Sequence, residues 1–474
     1  MSSVRANRAP TGAMWGAIAS LARSPWAVTW AITIAALIYM EWIALTQFLT
    51  SRWYLADVGN IHYCLFNTLH GRFMASPMHD HLDHFGFHFT PFLLLLLPIV
   101  PLSAYPIPLV TTYVVALALF VPAVHWLAER EEISPWLRPA LALFFLSNHF
   151  TGSLELANHF EVFFVLFFVL TIAARSSRWL YLCALLTILV KEDAALWLAA
   201  WAVFEWWHAA DKRQRRQYAA VACACVAYAL VAISTMLVIQ KSQGGGAVTE
   251  YGPRLAGGGF GRDTLITVAT LVASFLFLPL LSGRYVVLLL VPLPLLLTGF
   301  PFMRSLAYYY SYPFLPFLAL TTCVGAKRLL DWKPRWMRRD LTATLGIILC
   351  LAAAAQWFLP TRTDGYCRIP FSVTSRDWYR LEVARDVLPR EARVALQFGL
   401  WGITPTRLGA HLLSPRELEP QDYVFIDLSS PHGLEREEFI QVARQVIDEA
   451  ESGKRHYLHR AYDVFVLSPV VDKK

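Results

Sequence analysis

The chain has 474 residues, 56% of them hydrophobic and only 16% charged, with a net charge of +7. Ordinary soluble proteins are about 25% charged, so the composition excludes a soluble cytosolic enzyme and a disordered chain. The charge is also uneven: residues 359–474 hold 17 of the 34 acids and 16 of the 41 bases. The pattern predicts an all-α polytopic membrane domain over 1–358, with a large first outer loop at 49–106. A small extracytoplasmic α/β domain follows over 359–474. Membrane topology accounts for the excess of bases without a nucleic-acid partner.

The basic start (Arg5, Arg8, Arg23) runs into a long apolar stretch with no small-residue cleavage site, which predicts an uncleaved start with the N-terminus inside. A span needs about 20 apolar residues. Candidate spans are 27–48, 107–128, 136–150, 159–174, 178–191, 194–208, 217–239, 264–282, 284–300, 310–326 and 340–358, eleven in all. On that alternation 18 bases lie inside and six outside before residue 359, as the positive-inside rule requires. The localisation that follows is a bacterial cytoplasmic membrane, with the C-terminal domain outside. The segment 179–207 fits better as a hairpin than as one helix, because basic clusters flank it on both sides. Its apex is Lys191-Glu192-Asp193.

Three outer segments are long enough for function. In the first loop, residues 91–102 are apolar but too short to span, and predict an interfacial helix. Residues 240–263 are Gly-rich and predict a mobile loop. Residues 301–312 carry Arg304 and four tyrosines. In the tail, 377–388 and 434–451 read as helices, and 393–398, 423–427 and 462–467 as strands, which suggests a small α/β layer.

Asp57 lies nine residues beyond the first span and reads either as a general base or as a helix cap. His79, His81 and His84, with Asp80 and Asp83, could bind a divalent metal ion or form a solvated loop. His88 opens the 91–102 segment. His159 and Glu161 begin the fourth span, where a carboxylate must be paired, face a cavity or cap the helix; Glu155 lies nearby. Lys191 could hold a lipid phosphate as a point charge or pair with Glu192 or Asp193. Arg304 could grip a phosphate bidentately or snorkel to headgroups. Glu41, inside the first span, reads as paired or snorkelling. Cys64 and Cys367 are the two cysteines predicted outside, where an oxidising compartment would permit a disulfide; the other five fall in apolar runs, and no spacing suggests zinc.

Several of these segments resemble a predicted membrane-protein family, domain of unknown function 2079. They are Asp57-Val58-Gly59-Asn60-Ile61, Phe66-Asn67-Thr68-Leu69-His70-Gly71, His88-Phe89-Thr90-Pro91, Leu189-Val190-Lys191-Glu192-Asp193, Arg304-Ser305 and Tyr310-Ser311-Tyr312-Pro313. Tail segments 384–395 and 422–427 look similar too. That family resembles the GT-C integral-membrane glycosyltransferases, which take sugars from polyprenyl-phosphate donors at the outer face. The resemblance implies Asp57 as catalytic acidic residue and Lys191 as the lysine between two mid-chain spans. Tyr309 to Pro316 resembles the later Tyr-x-x-Pro element. It also implies a polyprenyl-phosphate-linked sugar and membrane lipids as partners, with the acceptor unknown. Val58 follows Asp57, so the usual acidic pair is missing, and Glu161 or Glu155 would have to supply the second acid. A non-catalytic lipid-binding or assembly protein on the same scaffold is the first alternative. A transporter or flippase is the second, although no internal repeat is visible.

Overall fold

The structure, a computed structural model, describes residues 24–51, 55–78, 82–175, 177–244, 258–332, 335–414, 418–429 and 436–470. His79, His81 and most of the Gly-rich segment 240–263 lie outside these residues. Most of the chain is helical, with one small sheet near the C-terminus.

The eleven predicted spans are corrected to four, or five if one bent pair counts as a span. Among the described residues, four helices are long and apolar enough to cross a bilayer. These are α1 (Pro25–Leu49), the pair α3 (Ile107–Ala118) and α4 (Phe120–Arg130) running on as Ile107–Arg130, α10 (Lys212–Gln243), and residues Asp340–Trp357 of α14 (Arg335–Trp357). The predicted spans 264–282 and 284–300 merge into α11 (Arg262–Ser274) followed by a 3₁₀ segment, Leu278–Leu290, bent from it by 120°.

The other five candidates are shorter helices: α5 (Leu137–Ser147), α7 (Glu161–Ala173), α8 (Leu180–Val190), α9 (Ala194–His208) and α13 (Leu315–Asp331). At about 1.5 Å per residue, an 11-residue helix covers little more than half of a hydrocarbon core about 30 Å thick. Apolar runs alone do not separate a buried short helix from a span. The predicted interfacial helix is a 3₁₀ helix, Pro91–Leu102, with Pro98 and Pro101 inside it; proline lacks the N–H that an α-helical ladder needs.

Where the long helices meet no protein they are apolar. α10 exposes Val226, Leu230, Val231, Ile233, Leu237 and Val238, and α1 exposes Trp30, Ile34, Ile38 and Trp42. Such faces fit lipid contact. Glu41, within α1, accepts a hydrogen bond from Thr111 at 2.7 Å. All seven cysteines are free thiols, Cys64 and Cys367 included.

The tail forms a five-stranded sheet from β1 (Val394–Leu396), β2 (Ala410–Leu412), β3 (Tyr423–Asp427), β4 (Tyr457–Ala461) and β5 (Val464–Leu467). The order is β2-β1-β3-β5-β4, with the first three strands parallel and the last two joined antiparallel. Side chains alternate between two cores. Val394, Leu396, Phe425, Val464 and Val466 join the core that continues into the helical domain, together with Val383 and Ala384 of α15 (Ser375–Asp386). Ala395, Val424, Ile426, Phe465 and Leu467 pack with Val442 and Val446 of α16 (Arg436–Glu451).

The sheet's loops dock on the segment between α1 and α3, through α2 (Leu55–Leu69) and its neighbours. Ser51 donates to the Gly399 carbonyl at 2.9 Å, and the Thr406 amide to that of Ala104 at 2.9 Å. The Tyr63 ring meets Trp401 edge-on at 4.9 Å. Gly59 permits the close approach: a Cβ there would lie 3.1 Å from the Trp401 backbone, which would have to give by a few tenths of an ångström.

A strap after the last span, residues 359–371, is built into the helical domain. The Thr363 hydroxyl donates to the Ser153 carbonyl at 2.8 Å, and the Arg362 amide donates to the Ser153 hydroxyl at 2.7 Å. Fully buried Arg368 pairs with Glu155 of α6 (His149–Ala157) at 2.8 Å and lies 4.6 Å from the Trp357 ring centre. Gly152 makes room for it, since a Cβ there would stand 2.5 Å from Arg368 Nε. Removing one partner of such a pair strands a buried charge. Glu155→Gln is therefore expected to cost about 3–5 kcal/mol, seen as a lowered unfolding midpoint in detergent. An unchanged midpoint would show that the strap does not depend on the pair.

Candidate functional site

Four helix ends meet near the start of α2. Asp57 sits in the first turn of α2, and Glu161 in the first turn of α7, where the helix dipole favours a negative charge. Lys191 is the extended residue that ends α8, and Asp193 is the N-cap of α9. A cation at a helix C-terminus and acids at the next N-terminus suit both dipoles. The chain therefore breaks at Lys191, as the hairpin reading requires.

Three consecutive residues at this break each grip a different segment. Lys191 Nζ donates to Glu161 Oε1 at 2.9 Å, and both side chains are almost wholly buried. Glu192 accepts from the Phe89 amide at 3.0 Å and lies 3.0 Å from His88 Nδ1. Asp193 accepts a hydrogen bond from the Tyr312 phenol. The Glu161 carboxylate also contacts His159 Nδ1. His159 stacks on Tyr309, with ring centres 4.0 Å apart and planes 13° apart. Lys191 lies 5.8 Å from the Tyr309 ring centre and 5.3 Å from that of Tyr312.

Asp57 stands within electrostatic reach of His159, Glu161 and His88. Burial pushes its carboxyl above the usual carboxylate range, and the opposing field of His159 does not cancel this. As a residue Asp57 is half-buried. In physical terms the cluster combines the Asp57 carboxylate, a buried ammonium held by a carboxylate, and aromatic walls.

Of the residues selected from the sequence, Asp57, His88, His159, Glu161, Lys191, Glu192 and Tyr309 fall into this one network. Arg304 does not join it by any hydrogen bond or ion pair among the described residues. It sits in the short helix α12 (Pro301–Ser305), just before the left-handed Leu306 that turns the chain into the tyrosine run. His84 packs beside His88 with ring centres 6.0 Å apart; His79 and His81 lie outside the described residues. Among the described residues no three His, Cys, Asp or Glu side chains come together as metal ligands.

Sequence reasoning missed two members. One is Gln47 of α1, whose Oε1 accepts from Asn158 Nδ2 at 2.8 Å and holds the turn before Glu161. The other is Asp364, which accepts from the Tyr308 phenol at 2.6 Å. An Asp-Gly turn signal at Asp364-Gly365, just beyond the last span, was the available clue.

No curated protein matches the chain. A family model described as a predicted membrane protein, DUF2079, matches residues 57–401, a stretch that begins at Asp57 and includes Glu161, Lys191, Glu192, Asp193 and Tyr309. The chain belongs to the DUF2079 family of predicted membrane proteins.

Proposed function

We propose that this protein is a GT-C-like glycosyltransferase. It would move a sugar from a polyprenyl-phosphate donor to an acceptor at the outer face of a bacterial cytoplasmic membrane. The observation that carries the reading is the meeting of Asp57 with the Lys191–Glu161 network at converging helix ends. Asp57 takes the proton of the acceptor hydroxyl. The acceptor oxygen then bonds to the sugar's anomeric carbon as the bond from that carbon to the phosphate oxygen breaks. The electron pair leaves with the phosphate, whose growing charge Lys191 stabilises. Arg304 is the second cation available to it. Glu161 is fully buried, so it is a positioning residue rather than an acid or base. With His159 it fixes the ammonium of Lys191, while Glu192 and His88 fix the break in the chain.

One observation favours a second reading. Lys191 already has a buried carboxylate partner, as it would in a scaffold that binds lipid without chemistry. Supplying purified protein with labelled polyprenyl-phosphate sugars and a broad acceptor panel separates the two. Asp57→Asn is expected to lower transfer by about 10²–10⁴-fold while donor binding persists. Binding without transfer or hydrolysis by the wild type sinks the enzyme reading. Because a base must be ionised and burial raises the Asp57 pKa, wild-type transfer should fall on acidification from a pH above the ordinary carboxylate value of about 4. An acid limb at or below that value would remove Asp57 as the base.

The ion pair makes its own prediction. Lys191→Met alone leaves buried Glu161 with the His159 contact but no ammonium and should cost up to about 3–5 kcal/mol. Lys191→Met with Glu161→Leu should recover much of that stability while transfer stays lost. Transfer by the double variant at the wild-type rate would show that Lys191 holds no phosphate.

A further inference from the structure

We propose that the cleft between the starts of α8 and α10 binds an anionic phospholipid. Lys212, Arg213 and Arg216 would hold the phosphate of its headgroup, and the apolar stripe of α10 would receive its chains. The cleft lies at the opposite end of α8 from Lys191, about 16 Å away at the helical rise. It therefore does not rest on the transferase reading.

The first observation is charge. Neighbouring bases are already engaged. Arg175 pairs with Glu131 at 2.6 Å and Lys327 with Asp331 at 3.3 Å. Arg178 lies 5.4 Å from the Trp179 ring centre, and Arg215 Nε donates to the Ala209 carbonyl at 2.8 Å. Lys212, Arg213 and Arg216 are exposed, and among the described residues none of them has an ion-pair partner. With Tyr181, Asp211 and Gln217 they line a cleft of about 560 Å³. The Asp211 carboxylate accepts from the Gln214 amide at 3.3 Å and caps α10. Three cations against one carboxylate leave the cleft positive, and such side chains grip phosphate oxygens through charge-assisted hydrogen bonds.

The cleft's place in the fold says what carries the phosphate. α10 is a candidate span of 32 residues, about 48 Å long at the helical rise. That exceeds a hydrocarbon core about 30 Å thick, so its basic first turns stand among the headgroups. Exposed Trp179, Tyr181, Trp206 and Trp207 stand around this end of the α8–α9 hairpin, as aromatic side chains do at headgroup level. From Arg216 the exposed face of α10 continues through Ala220, Cys223, Ala224 and Ala227 to Leu230, at the spacing of one helix face. α8 touches α10, and Leu182 and Leu185 are exposed on it next to Tyr181 in the first two turns. Small residues beside those leucines give a hydrocarbon chain a path that starts at the cations. A soluble anion or an acidic protein segment would use the cations alone; a phospholipid uses both features.

The test embeds full-length protein in phosphatidylcholine nanodiscs with increasing fractions of phosphatidylglycerol. Lipid retained on the released protein is then counted by native mass spectrometry. The wild type should retain phosphatidylglycerol in preference to phosphatidylcholine, and less so as salt rises. A basic side chain at a membrane surface is worth roughly a fivefold change in binding. Lys212→Gln, Arg213→Gln and Arg216→Gln combined should therefore lower the preference about tenfold or more. Each single variant should lower it roughly fivefold, which keeps the test decisive if the combined variant fails to fold. Arg213→Lys with Arg216→Lys keeps the charge and should keep most of the preference. Arg284→Gln removes a base that lies over Tyr285, outside the cleft, and should change nothing. Equal retention of the two lipids by the wild type, or a wild-type preference in the combined variant, overturns the proposal. A loss in Arg284→Gln as large as in the cleft variants also overturns it, because the preference would then be a property of diffuse surface charge. Displacement of the lipid by free glycerol phosphate overturns it too, since the cleft would then be a site for soluble anions.

Discussion

The buried contact between the Glu161 carboxylate and the Lys191 ammonium fixes the geometry of everything around it. Taking either charge out of water costs several kcal/mol, so each is held at this depth by partners: Lys191 by Glu161, and Glu161 by Lys191 and His159. Lys191 must therefore sit against the start of α7, which sets where α8 stops and α9 begins. From that break Glu192 reaches the segment around His88, and Asp193 that around Tyr312. Three neighbouring side chains thus tie α7, the segment around His88 and the tyrosine run to one point. His159 closes the arrangement by contacting Glu161 and stacking on Tyr309.

A second buried pair, Arg368 with Glu155, performs a related task between the two halves of the chain. It draws the strap after α14 against α6, and the sheet then packs on α2 through Trp401. Val394, Leu396 and Trp401 share a single core with helices as distant in sequence as α1. The boundary at 358 that the charge distribution suggests is therefore a change of composition more than a break in packing. The strap belongs with the helices on which it lies.

Much of this was legible from local rules. The break at Lys191 follows from basic clusters on both sides of an apolar run. The two tail helices and three inner strands follow from periodicity, and the sheet order explains the two strands that were missed. β2 and β4 are its edges; β2 has only three residues and β4 carries His459 and Arg460, as short or charged edge strands often do. The span count was not legible, because an apolar run of 11 to 17 residues looks alike whether it is buried by protein or by lipid. Pairings such as Asn158 with Gln47, or Tyr308 with Asp364, join residues 111 and 56 positions apart, and no spacing rule connects them.

The shortness of those helices and the chemistry of the cluster have one cause. α7 and α13 are apolar almost all round and are buried on nearly every side, while α1 and α10 present broad apolar faces outward. The long α1 and α10 line the surface, while the shorter α7 and α13 lie in the interior. A helix that stops inside a protein leaves four unpaired N–H or C=O groups at that end, which an apolar surrounding does not tolerate. Polar side chains must collect there. Asp57, Glu161, Lys191 and Asp193 all occupy helix termini, each with the sign its dipole favours. A chain of full-length spans would place its helix ends at the two membrane surfaces, where water satisfies them. Here the ends meet within the fold, and charged groups collect at them and bond to side chains of other elements.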